Sequence, residues 1–252
     1  MTVEQVVRRL RAVGCVFAEE EAALLAEEAG GDADHLERML REREAGRPLE
    51  QILGWAEFAG IRVQVEPGVF VPRRRSEIVV RVALETAGPG AVVVDLCCGT
   101  GALGAALLAA RPDLEVHAAD LDPAALACAR RNLPPDRVHE GDLYDALPGH
   151  LRGRVDVLVV NAPYVPTDEI GMMPPEARDH EHRIALDGGA DGLDVQREVC
   201  AGVGGWLADG GTLVIETGRA QATTTTALMR GAGLTPRVVT DDQIGGVAVA
   251  GI

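Results

Sequence analysis

The sequence contains no lysine, so all 24 of its basic residues are arginines. Without lysine, the chain cannot form a Schiff base, use a lysine amine as a general base or hold phosphates with a P-loop lysine. Aromatic residues are also scarce, at 3% of the 252 residues. Hydrophobic residues nevertheless make up 47% of the chain, which is enough for the core of one medium-sized α/β domain with a small additional unit.

Basic charge is in deficit as well, because 39 acidic residues give the chain a net charge of −15. Proteins that hold nucleic acid on a broad surface do so with clustered cations that displace counterions. We therefore expect no broad nucleic-acid surface and no direct nucleic-acid binding, although a local basic patch is compatible with this composition.

The features of exported and membrane proteins are absent too. No run reaches the roughly 18 apolar residues of a membrane span, and the first residues show no signal-peptide pattern. We predict a cytoplasmic protein that does not contact a membrane. The cysteines are odd in number and form no Cys-x-x-Cys pair, which predicts buried reduced thiols rather than disulfides or a zinc site. They are Cys15, Cys97, Cys98, Cys128 and Cys200.

Hydrophobic spacing divides the chain into a helical unit (residues 1–50, about three helices), a β-hairpin linker (51–72) and an α/β unit (73–252). From Ala91 strands and helices alternate, which predicts a doubly wound, mostly parallel sheet of seven strands. No helix separates the last two strands, so they must form a hairpin in which one strand is antiparallel. The predicted strands are 91–96, 114–119, 137–140, 155–160, 212–216, 234–239 and 246–252, and the predicted helices are 102–110, 123–132, 193–207 and 220–230.

A glycine-rich loop follows the first strand of this sheet. Gly99, Gly101 and Gly104 satisfy the pattern G-x-G-x-x-G at a strand-to-helix turn, where backbone can approach a ligand closely. The loop fits a dinucleotide, S-adenosylmethionine or an ordinary tight turn. Asp95 at the strand end favours S-adenosylmethionine, whereas Asp120, at the end of the next strand, can accept ribose hydroxyls in either cofactor class.

The fourth strand runs into Asn161-Ala-Pro-Tyr164, which resembles the Asn-Pro-Pro-Tyr signature of amino methyltransferases. Together with its flanking segments, the chain resembles the release-factor glutamine N5-methyltransferase family (the HemK or PrmC type), in a paralogous branch. The resemblance extends from about Arg47 to Gly218. Its further segments are Arg47–Gly54, Glu57–Gly60, Val71–Arg73 with Ser76-Glu77, Asp95–Gly101, Gly141–Leu143, Ile184–Gly189 with Asp191–Leu193, and Gly210-Gly211 with Ile215–Gly218.

This resemblance implies a class I S-adenosylmethionine-dependent methyltransferase fold, Rossmann-like, with a small helical N-terminal domain that recognises the protein substrate. It implies methyl transfer to the side-chain amide nitrogen (N5) of a glutamine, with a translation release factor as partner. S-adenosylmethionine is the expected cofactor and no metal is expected. The residues implied to bind the cofactor are Asp95, Cys97, Cys98, Gly99, Thr100 and Gly101 around the methionine part, Asp120 at the ribose, Asp142 and Leu143 at the adenine, and Asn161.

Amide chemistry supports a catalytic role for Asn161–Tyr164. A carboxamide nitrogen is a poor nucleophile because its lone pair is delocalised into the carbonyl group. The Asn161 side-chain oxygen and the Ala162 carbonyl can accept its two N–H bonds and hold the nitrogen in plane. Tyr164 would pack on the planar amide, and Pro163 stiffens the turn. The structural alternative is a strand-ending turn in which Asn161 caps a helix.

Other functions remain open at this point. A nucleic-acid amino methyltransferase acting on adenine N6 or guanine N2 could use the same tetrapeptide with a flipped base. A nicotinamide dehydrogenase would use the glycine loop but leave Asn161 unexplained, and a non-catalytic binding protein would keep the fold without turnover.

The chain departs from the family pattern at several positions. Ala162 stands where the family usually has proline, and Cys97 replaces the first glycine of the cofactor loop. Arg73–Arg75 stands where the family commonly has Arg-Pro-Glu, and contacts with an acidic partner or RNA, a solvated turn and an internal ion pair all remain open for it. The segment Asp241–Gly245 is shorter than the final hairpin that is usual in the family. We expect His180 and His182 to belong to a substrate-contacting loop rather than a metal site.

Overall fold

The computed structural model describes all residues from Met1 to Ile252, beginning with a helical N-terminal unit. Thr2 starts its first helix with a capping box shared with Gln5, and Val6 and Leu10 on that helix are fully buried. The spacing predicts about three helices, whereas the structure has four. The fourth takes residues 51–53 from the predicted linker. The helices are α1 (Val3–Ala12), α2 (Ala18–Ala29), α3 (Ala33–Glu44) and α4 (Leu49–Leu53).

A two-stranded hairpin follows, formed by β1 (Trp55–Phe58) and β2 (Ile61–Gln64). Both residues of its turn have positive φ, 48° at Ala59 and 80° at Gly60, as a two-residue hairpin turn requires. The main-chain N–H of Gln64 donates to the Asn132 side chain at 2.8 Å. The hairpin is thereby attached to the α/β unit.

The α/β unit contains a seven-stranded sheet with strand order β5-β4-β3-β6-β7-β9-β8. Only β9 is antiparallel to its neighbours, β7 and β8, which confirms the predicted fold class. The central strands are buried on both faces, as expected for a parallel sheet covered by helices. The strands are β3 (Val92–Leu96), β4 (Glu115–Asp120), β5 (Val138–Glu140), β6 (Val155–Val160), β7 (Leu207–Glu216), β8 (Pro236–Asp241) and β9 (Gly246–Gly251).

The helices of this unit differ from the prediction in three places. Helix α5, which buries Ile78, Val79 and Val82, was not predicted. The helix predicted over 193–207 ends at Gly202, because the glycine-containing segment 203–205 forms a single 3₁₀ turn and β7 already begins at Leu207. A short helix, α8, lies in the predicted loop. The helices are α5 (Glu77–Thr86), α6 (Ala102–Ala110), α7 (Pro123–Asn132), α8 (Pro175–His180), α9 (Asp194–Gly202) and α10 (Ala222–Gly231).

The carboxyl ends of β3, β4, β5 and β6 meet at one edge of the sheet. Gly104 helps to fix this edge, because a Cβ at its position would lie 3.1 Å from Val116 and 3.2 Å from Leu133. Its lack of a side chain lets α6 pack close to β4. None of the ten helices has the length and apolar character needed to cross a membrane.

Candidate active site

A single cavity at the carboxyl edge of the sheet brings together most of the predicted site residues. Asp95 and Gly101 do not line it. The predicted residues that do are Cys97, Cys98, Gly99, Thr100, Asp120, Asp142, Leu143, Asn161, Ala162, Pro163 and Tyr164.

Asp95 is fully buried beneath the glycine-rich loop. Its Oδ2 accepts a hydrogen bond from the Gly104 N–H at 3.0 Å, while Oδ1 has no partner. Burial raises the pKa of this carboxyl group to about 8, since a charge is poorly tolerated in an apolar interior. Asp95 therefore supports the glycine-rich segment through its hydrogen bond with Gly104 and does not face the cavity.

Cys97, next in the loop, has a left-handed backbone with φ of 56°. This conformation suits glycine and is strained for a residue with a Cβ. Burial raises the pKa of both the Cys97 and Cys98 thiols, so both stay protonated. The two cysteines are thus packed loop residues and not nucleophiles.

Asp120 connects the loop to the end of β4. Its carboxylate accepts the N–H of Gly99 at 2.8 Å and the N–H of Asp122 at 2.9 Å. Burial raises the pKa of this group too. Each oxygen retains a free lone pair for a hydroxyl donor. Asp142 and Leu143 follow β5 and complete this side of the cavity.

Asn161 and Ala162 present two unused hydrogen-bond acceptors at the end of β6. The Asn161 Nδ2 donates to Ser76 Oγ at 3.2 Å, which fixes the orientation of the amide. Its Oδ1 and the Ala162 carbonyl oxygen accept no hydrogen bond from the protein, yet both residues line the cavity. The turn therefore supplies the pair of acceptors that the tetrapeptide predicts.

Three residues outside the predicted set support this turn: Ser76, Arg75 and Glu216. Glu216 is buried at the end of β7 and accepts a hydrogen bond from Arg75 Nε at 3.3 Å. Burial raises the pKa of Glu216, and the nearby Ser76, Arg75 and Tyr164 partly offset that rise. The Arg75 guanidinium lies 5.8 Å from the Tyr164 ring centre. Ser76 and Glu216 lie in segments that carry the family resemblance, which is the signal that could have identified them.

The other side of the turn is covered by the loop that follows α8. A Cβ on Gly188 would lie 2.7 Å from the Pro163 carbonyl oxygen, and a Cβ on Gly192 would lie 2.2 Å from that of Tyr164. Only glycine permits this close approach of two backbones. Gln221 adds a hydrogen bond from its Nε2 to the Tyr164 carbonyl at 2.9 Å.

Some of the other residues singled out in the sequence, among Arg73–Arg75, His180 and His182, form side-chain contacts within the protein. Arg73 pairs with the buried Glu181 and Arg75 with Glu216, so the internal ion pair is the observed role of two of the three arginines. His182 contacts Asp122, with 2.6 Å between Nδ1 and Oδ2. His180 and His182 do not belong to a group of potential metal ligands.

The chain is similar to known methyltransferases in sequence and in fold. Residues 60–173 match the model of the Methyltransferase small domain family. Release factor glutamine methyltransferase from Streptomyces coelicolor is 43% identical over 195 residues, covering 75% of this chain and 69% of that protein. The 4-amino-L-phenylalanine/4-methylamino-L-phenylalanine methyltransferase of Streptomyces pristinaespiralis is 37% identical over 207 residues, covering 77% and 69%. A solved methyltransferase structure from Pyrococcus furiosus shares the fold, with a TM-score of 0.54 at 16% identity over 76% of this chain and 87% of that one.

The backbone strain at Cys97 can be measured with two substitutions. Cys97→Gly removes the Cβ and should exceed Cys97→Ala in free energy of unfolding by about 1 kcal/mol, because alanine keeps the Cβ that disfavours a left-handed backbone. Urea unfolding of both variants is the measurement. Equal midpoints would show that the loop bears no strain at this position.

The buried Asp95 predicts a pH dependence of stability. Its pKa of about 8 in the folded chain lies above the unfolded value of about 3.9. Its contribution to stability is therefore fully present below pH 4 or so and is lost as the pH rises through 8, by up to about 1.4 kcal/mol per pH unit. Urea unfolding between pH 5.5 and 8 should show a smaller decline in Asp95→Asn than in the parent. Equal slopes would mean that Asp95 is already ionised in the folded protein.

Proposed function

The chain belongs to the release factor glutamine methyltransferase family, and we propose that it transfers a methyl group from S-adenosylmethionine to the N5 amide nitrogen of a glutamine in a protein. Membership of this family leaves no role for a nicotinamide cofactor. The observation that carries the proposal is the pair of free acceptors at the end of β6, Asn161 Oδ1 and the Ala162 carbonyl oxygen.

Two acceptors match the two N–H bonds of a primary amide. Held between them, the substrate nitrogen keeps a fixed plane, so its lone pair can be directed at the methyl donor. Positive charge develops on this nitrogen as the N–C bond forms, which strengthens both hydrogen bonds in the transition state. The Tyr164 ring borders the same space and can pack on the planar amide.

The cavity also has the groups that S-adenosylmethionine requires. Gly99 has a positive φ and open space where a Cβ would lie, so a ligand can approach its backbone. Asp120 can accept ribose hydroxyls, and Asp142 with Leu143 would border the adenine. When bound, the cofactor supplies a methyl group on a positively charged sulfur. The methyl group would pass to the substrate nitrogen as its bond to sulfur breaks, and the proton released from the methylated nitrogen would go to water.

No strong general base is needed before transfer, because an N-protonated amide is very acidic. Glu216 does not line the cavity. Its carboxylate accepts a hydrogen bond from Arg75, and the neighbouring Ser76 accepts the amide N–H of Asn161.

We propose that the protein substrate is a translation release factor and that residues 1–50 recognise it. Because release factors act in translation, we also propose a cytoplasmic location. The helical unit contacts the loop beside the active site. Arg43 on α3 pairs with Glu176 on α8 at 2.7 Å, and Gln51 donates to the His180 carbonyl at 3.1 Å. A protein bound to the helices would therefore lie next to the loop that covers the Asn161 turn.

An amine of a small molecule is a second candidate acceptor. The Streptomyces pristinaespiralis relative is named for an amino-phenylalanine substrate, and Arg75, which lines the cavity beside Tyr164, could pair with a free carboxylate. The acidic net charge of the chain weighs against the third candidate, a nucleic-acid base.

One labelling experiment separates these acceptors. The purified protein is incubated with methyl-labelled S-adenosylmethionine and a lysate of its host, in three portions: untreated, nuclease-treated and depleted of small molecules by filtration. We expect nuclease-resistant label in a protein, mapped by mass spectrometry to a glutamine. Loss of label after nuclease treatment would show that the acceptor is a nucleic-acid base. Loss of label after filtration would show that it is the amine of a small molecule. Absence of label despite calorimetric cofactor binding would contradict an enzymatic role.

Substitution of Asn161 tests the mechanism. Asn161→Ala should lower kcat about a hundredfold or more, because it removes a hydrogen bond that strengthens in the transition state. Calorimetric affinity for S-adenosylhomocysteine should stay within a few-fold of the parent and serves as the internal control for folding. Turnover equal to that of the parent would exclude Asn161 from the reaction.

A further inference from the structure

Three of the six histidines meet at the edge of the sheet, away from the catalytic cavity. His117 lies within β4, His139 lies within β5, and His150 lies in the segment that leads to β6. Glu115, the first residue of β4, completes the group. The separations of these residues along the chain match no familiar spacing of metal ligands, so the sequence alone does not indicate this group.

The geometry of the group resembles a set of metal ligands. His117 Nε2 lies 3.1 Å from Glu115 Oε1, and the donor atoms of Glu115, His117 and His150 all lie within 4.8 Å of one another. In a tetrahedral zinc site with bonds of about 2.0–2.2 Å, neighbouring ligand atoms are about 3.3–3.5 Å apart. The His117–Glu115 distance is close to that value, and the exposed His150 can close the remaining gap by rotation of its side chain.

His117 also has the environment of an oriented ligand. It is buried, and its second ring nitrogen, Nδ1, lies 3.0 Å from His139 Nε2. Metal-bound histidines usually donate their other N–H to a nearby acceptor, which fixes the tautomer and the ring orientation. His139 would take that part here. The ring of His150, in contrast, makes no hydrogen bond within the protein although it lies edge-on to His117, with 6.2 Å between ring centres.

We propose that Glu115, His117 and His150 bind a divalent zinc ion. The ion would attach to the sheet the loop between β5 and β6, which contains Asp142 and Leu143. Three protein ligands leave a fourth position for water, which the exposure of His150 makes accessible. The nearby positive charges of Arg137 and Arg154 act on Glu115 and oppose a cation. We therefore expect weaker binding than in a site with four protein ligands.

The position of the site in the chain gives it a consequence for cofactor binding. Asp142 and Leu143 lie between His139 and His150, in the segment that joins β5 to β6. A metal that ties His150 to β4 shortens the free part of this segment. Because linkage is reciprocal, a metal that orders the loop must also bind more tightly when the cofactor is present.

Metal binding can be measured directly on the full chain. EDTA-stripped protein is titrated with Zn²⁺ by calorimetry and with Co²⁺ by visible absorption, which reports tetrahedral geometry. We expect one site per chain, without the near-ultraviolet band of thiolate ligation that would indicate Cys97 or Cys98. His150→Ala and Glu115→Gln should each weaken binding at least about tenfold, and His139→Ala about 10–100-fold. His35→Ala, on the separate helix α3, is the matched control and should bind as the parent does.

Two results would overturn the proposal. Equal Zn²⁺ affinity in the parent, His150→Ala and Glu115→Gln would mean that any ion bound is adventitious. S-adenosylhomocysteine affinity that does not change with Zn²⁺ would remove the link to the loop, since we expect it to tighten about fivefold or more in the parent and not in His150→Ala. These measurements do not depend on which acceptor is methylated.

Discussion

For the reaction that we propose, the turn at the end of β6 must hold two carbonyl-type oxygens rigidly while leaving both free of protein donors. This requirement explains much of what surrounds it. Ser76 accepts the Asn161 amide N–H, so the side chain is oriented through its nitrogen and its oxygen stays available. On the opposite side, Gly188 and Gly192 let another loop lie against the carbonyls of Pro163 and Tyr164. An orientation fixed before the substrate binds costs nothing further during the reaction.

Four buried or largely buried carboxyl groups lie at the strand ends and in the loops around the cavity. Burial raises the pKa of Asp95, Asp120, Glu181 and Glu216, and three of them have an oxygen without a hydrogen-bond partner. Each such group costs stability when ionised. The cost falls where strand ends, loops and the helical unit meet, which is where the chain must form a binding cavity. Only Asp120 of the four lines the cavity, and the other three accept hydrogen bonds from the loops and helices around it.

The sequence predicts those parts of the molecule that local patterns determine. The seven strands and the presence of one antiparallel strand follow from periodicity and from the missing helix between β8 and β9, whereas only the structure shows that β9 is the antiparallel one. The family resemblance places Asp120 and Asn161 in one site, and the structure brings them together because β4 and β6 both lie beside β3 and end at the same edge of the sheet. Helix α5 was not predicted, since its buried residues Ile78, Val79 and Val82 include valines that also suit a strand.

Contacts between distant segments could not be read in the same way. Glu216 accepts a hydrogen bond from Arg75, and the next residue, Ser76, accepts one from Asn161. Three distant parts of the chain meet in this way, and no spacing in the sequence indicates it. His117 and His139 are separated by 22 residues. They meet because β4 and β5 pair in parallel with Ala119 opposite His139. His117 lies two residues before Ala119, so its side chain is on the same face of the sheet as that of His139. Register of this kind is a property of the assembled sheet, so the histidine cluster became visible only in the structure.

The departures from the family pattern fall into two physical classes. Ala162 retains the main-chain carbonyl that the proposed reaction would use, because any residue at this position supplies that oxygen. The change from proline therefore affects the stiffness of the turn and not its acceptors. Arg75 is different: it places a guanidinium in the cavity beside Tyr164, where the family commonly has an acidic residue. Glu216 offsets part of that charge through one long hydrogen bond, which leaves most guanidinium donors free. The proposed reaction therefore keeps both of its acceptor oxygens, and Arg75 adds to the cavity a guanidinium that could pair with a carboxylate of the substrate.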